Sequence, residues 1–334
     1  LTDELVALIE QVGPEMLVNG RMPTLSTWLD TLPLEILSIR PAIISLQGAI
    51  ASITGDVNLA LRLYEQAINV MSLPQDRQVM ARCLAWRAGT YRMTSNPNAA
   101  IADAHAAIRL VADDPSMEKI KAEALRCIGL CQNQQGKAHQ ALEWLHQALA
   151  ISLSIEDKDN AAVIQLGLGV VYESLGDYTK SMAMYQAASE HWQRTDNTIW
   201  LANLLNNLGV LQHLTGDYRS AILTYEKALQ YAHRSGHNRI EAFVLTGIGD
   251  IYVELNALDE AAIAYQQASV IAQRLHIAVL QAYLYIQQAM VACGKGNLAE
   301  CYRLIEDART IASQENMTME VHLSRLEYAG VKVK

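Results

Sequence analysis

The sequence has few features typical of secreted, membrane-bound or nucleic-acid-binding chains. No stretch approaches about 18 uncharged apolar residues, and no basic-then-apolar segment reads as a signal peptide. Lys and Arg number 26 against 35 Asp and Glu, a formal net charge of −9. Such an acidic surface disfavours a phosphate backbone as direct partner. We therefore expect a soluble, cytoplasmic chain that contacts neither membrane nor nucleic acid.

Cysteine is also sparse, with five residues in the chain. The number is odd, and all five lie on apolar helical faces, a pattern typical of a reducing compartment and not of a disulfide framework. They are Cys83, Cys127, Cys131, Cys293 and Cys301. The chain begins with Leu1 instead of Met. From this we expect a piece of a longer protein, or a processed one.

A phosphate-binding loop is missing. The nearest match is the run from Gly129 to Lys137. A Walker A motif requires glycine where Cys131 stands, and Ser or Thr as magnesium ligand where Ala138 stands. The Gly136-Lys137 pair is better explained as a turn between two helices.

Metal-binding and catalytic motifs are missing as well. Cys127 and Cys131 lie one helical turn apart, with His139 and His146 downstream, which leaves a metal cluster as an alternative. Zinc sites usually come from tighter Cys-x-x-Cys knuckles, so core packing of the two thiols is favoured. The sequence contains no HExxH and no ordered Ser/His/Asp set. We expect no catalytic residue, no metal and no cofactor, and hence no enzyme.

A periodic turn pattern dominates the chain. Gly or Asn recurs at a spacing of 40, after a first interval of 41, at Gly55, Asn96, Gly136, Gly176, Gly216, Asn256 and Gly296. A small residue follows five positions later at Ala60, Ala141, Ser181, Ala221, Ala261 and Cys301, and one position early at Ala100. Self-similarity at a fixed period of this length predicts a solenoid with one shared core.

One repeat predicts a helical hairpin. Apolar residues recur at helical spacing over residues 163–175, and a second apolar stripe follows the Gly176-Asp177 interruption. Gly176 can adopt the left-handed conformation that closes a helix, and Asp177 can cap the next one. Gly169 and Ser181 would remove side chain where the two helix axes approach.

The spacing of small, aromatic and alanine positions resembles the tetratricopeptide repeat over roughly residues 41–310. The period exceeds the usual value of about 34 residues, which calls for longer helices or loops. The resemblance implies an all-α fold, an α-α superhelix of about seven helical hairpins over residues 41–334. A helix from about Thr318 to Ala329 would cap its end. The stripe Tyr64, Tyr185, Tyr225 and Tyr265 would then be core.

The first 40 residues lie outside the repeat. The run Trp28-Leu29-Asp30-Thr31-Leu32-Pro33, followed by Arg40-Pro41, resembles the entry into the sensor region of MalT-like activators, the large ATP-binding LuxR-type regulators of the STAND class. We expect residues 1–40 to form a helical entry segment on the first repeat, with Trp28 in the seam. The resemblance implies an ATPase module and a DNA-binding helix-turn-helix elsewhere in the full protein.

The same resemblance implies a sensor function. An inducer or peptide would bind the concave groove and relieve autoinhibition, and the other domains of the same regulator would be partners. The alternative is a stand-alone peptide-binding scaffold without a switching role.

The resemblance places the first helix of each hairpin on the inner wall. Aligning the hairpins on their internal glycines gives the candidate binding residues Arg82, Arg92, Arg126, Asn133, Asn203, Asn206, Asn207, His213, Asp250 and Tyr283. Arginine suits a carboxylate or phosphate through paired donors, and asparagine suits a peptide backbone or a polar small molecule. Ordinary solvated helix faces remain the alternative. Trp86 and Trp200 either flank the groove or belong to the core.

Overall fold

The computed structural model describes residues 2–94 and 96–314. Within these residues it has 17 α-helices and no strand, which confirms the all-α prediction. The chain divides into two compact units, Leu1–Leu204 and Leu205–Lys334, and the boundary falls inside a helix. The predicted capping helix from Thr318 to Ala329 lies outside the described residues.

Three helices precede the repeats in unit 1, and helical hairpins follow. The entry helices are α1 (Thr2–Val18), α2 (Met22–Asp30) and α3 (Leu34–Ile39). The hairpins are α4 (Pro41–Thr54) with α5 (Val57–Val70), α6 (Arg77–Met93) with α7 (Pro97–Val111), α8 (Glu118–Gln134) with α9 (Ala138–Ser154), and α10 (Lys158–Ser174) with α11 (Tyr178–Thr195). A 3-10 turn at Pro115–Met117 precedes α8.

The remaining helices have the same plan. Helix α12 (Thr198–Leu214) contains the boundary between the two units. Unit 2 continues with α13 (Tyr218–Ser235), then α14 (Asn238–Glu254) with α15 (Leu258–Arg274), and α16 (Ala278–Gly294) with α17 (Leu298–Gln314).

In the hairpin of α10 and α11, a residue with left-handed backbone ends the first helix and an N-cap residue begins the second, as the turn pattern predicts. Gly176 has φ +74°, and the Asp177 carboxylate accepts a hydrogen bond of 3.1 Å from the Lys180 amide at the start of α11. Asn96 is different, because with φ −109° it is itself the N-cap of α7, before Pro97. Ala100 therefore follows the N-cap of its helix by four residues, as Ala60 follows the N-cap Asp56.

Tyrosine packing against glycine joins the two helices of a hairpin. Tyr64, Tyr185, Tyr225 and Tyr265 are at most 1% exposed, which confirms that the tyrosine stripe is core. A Cβ atom on Gly169 would lie 2.2 Å from Cε1 of Tyr185, closer than any real contact. Because burying a tyrosine removes roughly 150–250 Å² from water, this close approach outweighs the roughly 1 kcal/mol cost of a helical glycine.

The entry helices pack on the first hairpin within unit 1. Val6 and Ile9 of α1 share a buried cluster with Ile43 and Leu46 of α4, and Trp28 packs against it as predicted. The Arg40 guanidinium donates two hydrogen bonds, of 2.9 and 2.7 Å, to the Glu10 carboxylate.

The far end of α1 has a long-range anchor. The Asn197 side-chain amide donates a hydrogen bond of 2.8 Å to the backbone carbonyl of Val18. The Asn197 oxygen accepts from the Trp200 amide at 3.4 Å, at the start of α12. Asn197 is 2% exposed, so it connects α1 to the turn between α11 and α12 in a buried position.

None of the helices among residues 2–94 and 96–314 combines the length and the apolar character needed to cross a membrane. All five cysteines are free, and Cys127 and Cys131 are 3% and 0% exposed inside a core cluster. Core packing of this pair is thus confirmed.

Candidate functional site

Three arginines on neighbouring first helices of unit 1 are the main polar feature of the candidate site. Arg82 and Arg92 lie on α6 and Arg126 lies on α8, and all three are partly buried. Within the described residues, none of them forms an ion pair with an acidic side chain, whereas Arg87 on α6 binds the Asp103 carboxylate at 2.6 and 2.9 Å. A partly buried guanidinium without an acidic partner is unusual, because desolvating a charge is costly unless the charge is paired.

Arg92 and Arg126 are close enough to repel each other. Burial lowers the pKa of Arg126, and the positive charge of Arg92 lowers it further. The Nε atom of Arg126 is buried and has no hydrogen-bond partner among the described residues. Glu123, one turn before Arg126, is the attractive neighbour of both Arg82 and Arg126, but burial raises the pKa of its carboxyl. The guanidinium groups of Arg92 and Arg126 therefore suit an anionic group of a ligand.

The two asparagines of unit 1 that are predicted to bind a ligand form different hydrogen bonds. Asn133 donates a hydrogen bond of 3.0 Å to the Ser174 hydroxyl of α10, and its own oxygen is buried without a partner in the described structure. Asn203 donates to the Ile199 carbonyl of its own helix at 3.0 Å. Asn133 thus has a buried acceptor without a partner, while the donor of Asn203 is used within α12.

Glu173 on α10 is an ionisable group outside the final set of predicted binding residues. It accepts a hydrogen bond of 3.2 Å from the Tyr185 hydroxyl, and burial raises the pKa of its carboxyl to about 7. Since this tyrosine packs against Gly169, the carboxyl–hydroxyl contact is explained by hairpin packing.

In unit 2, the predicted residues near the start of the unit pair with neighbours. The Asn206 side-chain amide donates to the Asn207 oxygen at 3.2 Å. His213 lies 3.1 Å from the Glu254 carboxylate, and its ring meets the Tyr218 ring edge-on with centroids 5.7 Å apart.

Asp250 and Tyr283, the last two candidates, are hydrogen bonded to each other. The Tyr283 hydroxyl donates to Asp250 at 3.1 Å, and the Tyr265 hydroxyl donates to the other oxygen at 2.7 Å. Burial raises the pKa of Asp250, although the two hydrogen bonds oppose the shift. Both carboxylate oxygens are thus occupied by hydroxyl groups of the same unit.

The two tryptophans also have defined places. Trp200 stacks on Trp192 with ring centroids 5.4 Å apart and an interplanar angle of 12°, and Trp192 is fully buried. Trp86 packs against core clusters but also lines a cavity.

The sequence motifs considered as a metal cluster and as a phosphate loop have defined places in the described residues. No group of three or more His, Cys, Asp or Glu side chains there is arranged to hold a metal ion. Gly136, with φ +76°, forms the turn between α8 and α9, so the Gly136-Lys137 pair is a hairpin turn as predicted.

A cavity of about 270 Å³ lies where α1, α4 and α6 meet in unit 1. Arg82 and Trp86 line it from α6, and Glu10 lines it from α1. The sequence did not predict this cavity, because α1 lies outside the repeat and cannot be aligned with the hairpins.

The family model described as the MalT-like TPR region matches residues 148–331, more than half of the chain. It describes a helical repeat region. No curated protein sequence matches this chain.

Solved structures with the same fold include a Rap protein complexed with Competence and Sporulation Factor, with a TM-score of 0.70, 14% identity, and coverage of 87% of this chain and 80% of that one. The Rap conjugation gene regulator of plasmid pLS20, in complex with the Phr* peptide, has a TM-score of 0.67, 14% identity, and coverage of 83% and 75%. Both likenesses concern the fold alone.

A third solved structure is a signal transduction ATPase with numerous domains and a tetratricopeptide repeat sensor, from Pyrococcus horikoshii. Its TM-score is 0.56 at 18% identity, and the match covers 96% of this chain but 48% of that chain. This chain therefore corresponds to about half of that ATPase. The fold class predicted from the sequence, an all-α α-α superhelix of tetratricopeptide hairpins, is confirmed. With its family model matched over residues 148–331, the chain belongs to the MalT-like TPR region family.

Proposed function

We propose that this chain is the ligand-sensing and protein-interaction domain of a signal-transducing ATPase transcription activator. An inducer or peptide binds the face formed by α6 and α8 in unit 1, and binding relieves autoinhibition in the full protein. Membership of the MalT-like family supports the proposal, as does the likeness to an ATPase that carries such a repeat sensor. The two Rap structures, which hold a factor or a peptide, support a peptide-sized ligand.

The observation that carries the proposal is the pair Arg92 and Arg126. Two mutually repelling guanidinium groups, one with a buried and unpartnered Nε, reduce stability in the absence of a ligand. An anionic group placed between them would satisfy the donors and remove the repulsion. An arginine with a structural role instead stabilises the fold through an acidic partner, as Arg87 does through Asp103. Asn133 extends this surface along α8.

We also include the remaining predicted binding residues in the proposal. Asn203 would contribute to the ligand surface of unit 1. In unit 2, the candidates are Asn206, Asn207, His213, Asp250 and Tyr283, whose amide, imidazole, carboxyl and hydroxyl groups suit polar parts of a peptide.

Thermal unfolding with short peptides tests the proposal. Wild-type protein is screened against pentapeptides that end in a free carboxylate and against their C-terminally amidated copies. A ligand at about 100 times its Kd adds about 2.7 kcal/mol of stability. We expect stabilisation by acid-terminated peptides and not by the amides, because the arginine pair selects the charge.

Variants separate a ligand site from a structural role. Arg92→Gln and Arg126→Gln should unfold at the same or a higher temperature than wild type without peptide, and should lose the peptide shift. Arg109→Gln, which removes an exposed arginine from α7, is the matched control and should keep the shift. Uniform failure of peptides and metabolites to stabilise the wild type would contradict the sensor proposal.

The full-length protein distinguishes a sensor from a scaffold. In a sensor, the peptide that binds unit 1 changes ATP turnover or oligomerisation of the whole protein. In a stand-alone scaffold it binds with the same affinity and changes neither.

A further inference from the structure

The cavity between α1, α4 and α6 has the composition of a small-molecule site. Its volume of about 270 Å³ is close to the lower end of typical ligand pockets, about 300–1,000 Å³. Leu46, Pro14 and Trp86 provide apolar walls, and Arg82 and Gln78 provide hydrogen-bond donors. A cavity of this size admits a small organic molecule but no extended peptide.

The positive charge of Arg82 favours an anionic ligand. Its guanidinium lines the cavity, and within the described part of the chain it has no ion pair with a carboxylate. Its acidic neighbours are Glu123 and Glu15, which act on it only through longer-range attraction. Glu15 is exposed, so water and salt screen its charge. Arg82 therefore keeps paired donors for an incoming anion.

Glu10, the acidic residue that lines the cavity, repels an anionic ligand only weakly. Glu10 lines the wall opposite α6, but Arg40 binds both of its oxygens, at 2.9 and 2.7 Å. This bidentate pair neutralises the carboxylate and fixes it on the Arg40 side. Trp86 adds a flat apolar surface, on which an aromatic ring can stack.

We propose that this cavity binds a small aromatic carboxylate, with the acid group on Arg82 and the ring against Trp86. The site adds to the proposed sensor function, on which its regulatory meaning rests, and is separate from the Arg92–Arg126 pair. Because one wall belongs to α1 and the others to α4 and α6, the ligand would join the entry helices to the first repeats. Binding would therefore stabilise α1 against local opening.

Equilibrium dialysis and thermal unfolding test the proposal with defined probes. The probes are phenylacetate and indole-3-acetate, with phenylacetamide and indole-3-acetamide as uncharged copies of the same shape. We expect the acids to bind saturably and the amides to bind at least about tenfold more weakly, a difference of about 1.4 kcal/mol. Equal binding of acids and amides overturns the assignment of Arg82.

Substitutions in the chain locate the binding. Arg82→Gln should weaken binding of the acids about tenfold or more, and Ala42→Leu, which fills the cavity from α4, should abolish it. Both variants are checked for wild-type circular dichroism and cooperative unfolding. Arg92→Gln is the matched control and should bind the probes as wild type does. Unchanged binding by folded Ala42→Leu overturns the location.

The outcome is distinct from that of the peptide experiment. If peptides bind through Arg92 and Arg126 but no aromatic acid binds the wild type, the cavity proposal is wrong and the sensor proposal stands. If the acids bind and no peptide does, the cavity proposal is supported and the peptide surface is wrong. Protection of α1 amides from hydrogen exchange by bound indole-3-acetate supports the link between entry helices and repeats.

Discussion

Asn197 donates a hydrogen bond of 2.8 Å from its side-chain amide to the backbone carbonyl of Val18, across 179 positions of sequence. The other atom of the same amide group accepts from the Trp200 amide, so one buried side chain both caps α12 and anchors α1. The Glu10–Arg40 ion pair fixes the middle of α1, and Asn197 fixes its end. Together with the buried cluster of Val6 and Ile9, these two contacts set the position of α1, and with it one wall of the cavity.

Replacing Asn197 by aspartate separates its two roles. The Asn197→Asp variant keeps the oxygen that caps α12 but loses the donor to Val18, and its charge repels that carbonyl. We expect a loss of about 1–3 kcal/mol, the usual cost of a buried polar group left without a partner. Amide hydrogen exchange should show faster exchange in α1 than in the hairpins.

The matched control for this experiment is Asn160→Asp. Asn160 is also buried, and it donates a hydrogen bond of 2.9 Å to Ser152 within its own neighbourhood. This variant should lose stability without selectively exposing α1. If Asn197→Asp leaves exchange in α1 at the wild-type rate, the anchor has no structural importance.

The two helical glycines Gly169 and Gly89 should respond to alanine with opposite signs. A Cβ at Gly169 would overlap Tyr185 at 2.2 Å, whereas a Cβ at Gly89 would have no atom within 4 Å. Overpacking costs about 1–3 kcal/mol, so Gly169→Ala should lower the free energy of unfolding. Gly89→Ala should raise it by about 0.5–1 kcal/mol, because alanine is the better helix former. Urea denaturation of both variants measures the difference.

A compensating change tests the cause. Replacing Tyr185 by leucine in the Gly169→Ala background removes the ring that the new methyl group would overlap. The double variant should lose less stability than the two single variants lose together. Strict additivity would show that the contact is not the source of the loss.

His237 makes unit 2 sensitive to acid. Its Nδ1 accepts a hydrogen bond of 3.3 Å from the Ile240 amide at the start of α14, and burial lowers the pKa of its ring to about 4. The folded state therefore binds fewer protons than the unfolded state between the two pKa values. Stability is complete above the ordinary pKa of 6.5 and falls as the pH drops from there towards 4.

The substitution His237→Asn should remove this acid sensitivity, because asparagine can cap α14 and does not titrate. Relative to wild type, the variant should gain about 1–3 kcal/mol when the pH is lowered from about 7.5 to about 5. The matched control is His276→Asn, since His276 is exposed and its left-handed backbone suits asparagine. The same gain in both variants would contradict a specific role of the buried cap. Urea denaturation at the two pH values measures it.

Much of the fold was predictable because its causes are local. Gly176 and Asp177 define a helix end and a helix start within two residues, and Gly169 lies opposite Tyr185 because the hairpin repeats the same spacing. The register of the second repeat was the exception. Asn96 matched the turn pattern by residue type, but with proline next to it the same asparagine becomes the cap.

The candidate site was predictable only in part, since periodicity places a residue on a face but does not identify its partners. Arg87 and Arg92 lie on the same helix, yet Arg87 binds Asp103 of α7, whereas the charge of Arg92 acts on Arg126 of α8. Asp250 and Tyr283 were both selected as ligand groups, and they are hydrogen bonded to each other. Whether the selected residues bind a ligand stays a prediction.

The sequence by itself determined the hairpins, their turns and caps, and the buried tyrosines, because each depends on spacing within one 40-residue repeat. Only the tertiary structure decided which charges remain unpaired and where α1 lies. Those features depend on contacts between residues that are far apart in the chain. Val18 meets Asn197, and Arg82 lines a cavity opposite Glu10, because packing brings together segments that the repeat does not relate.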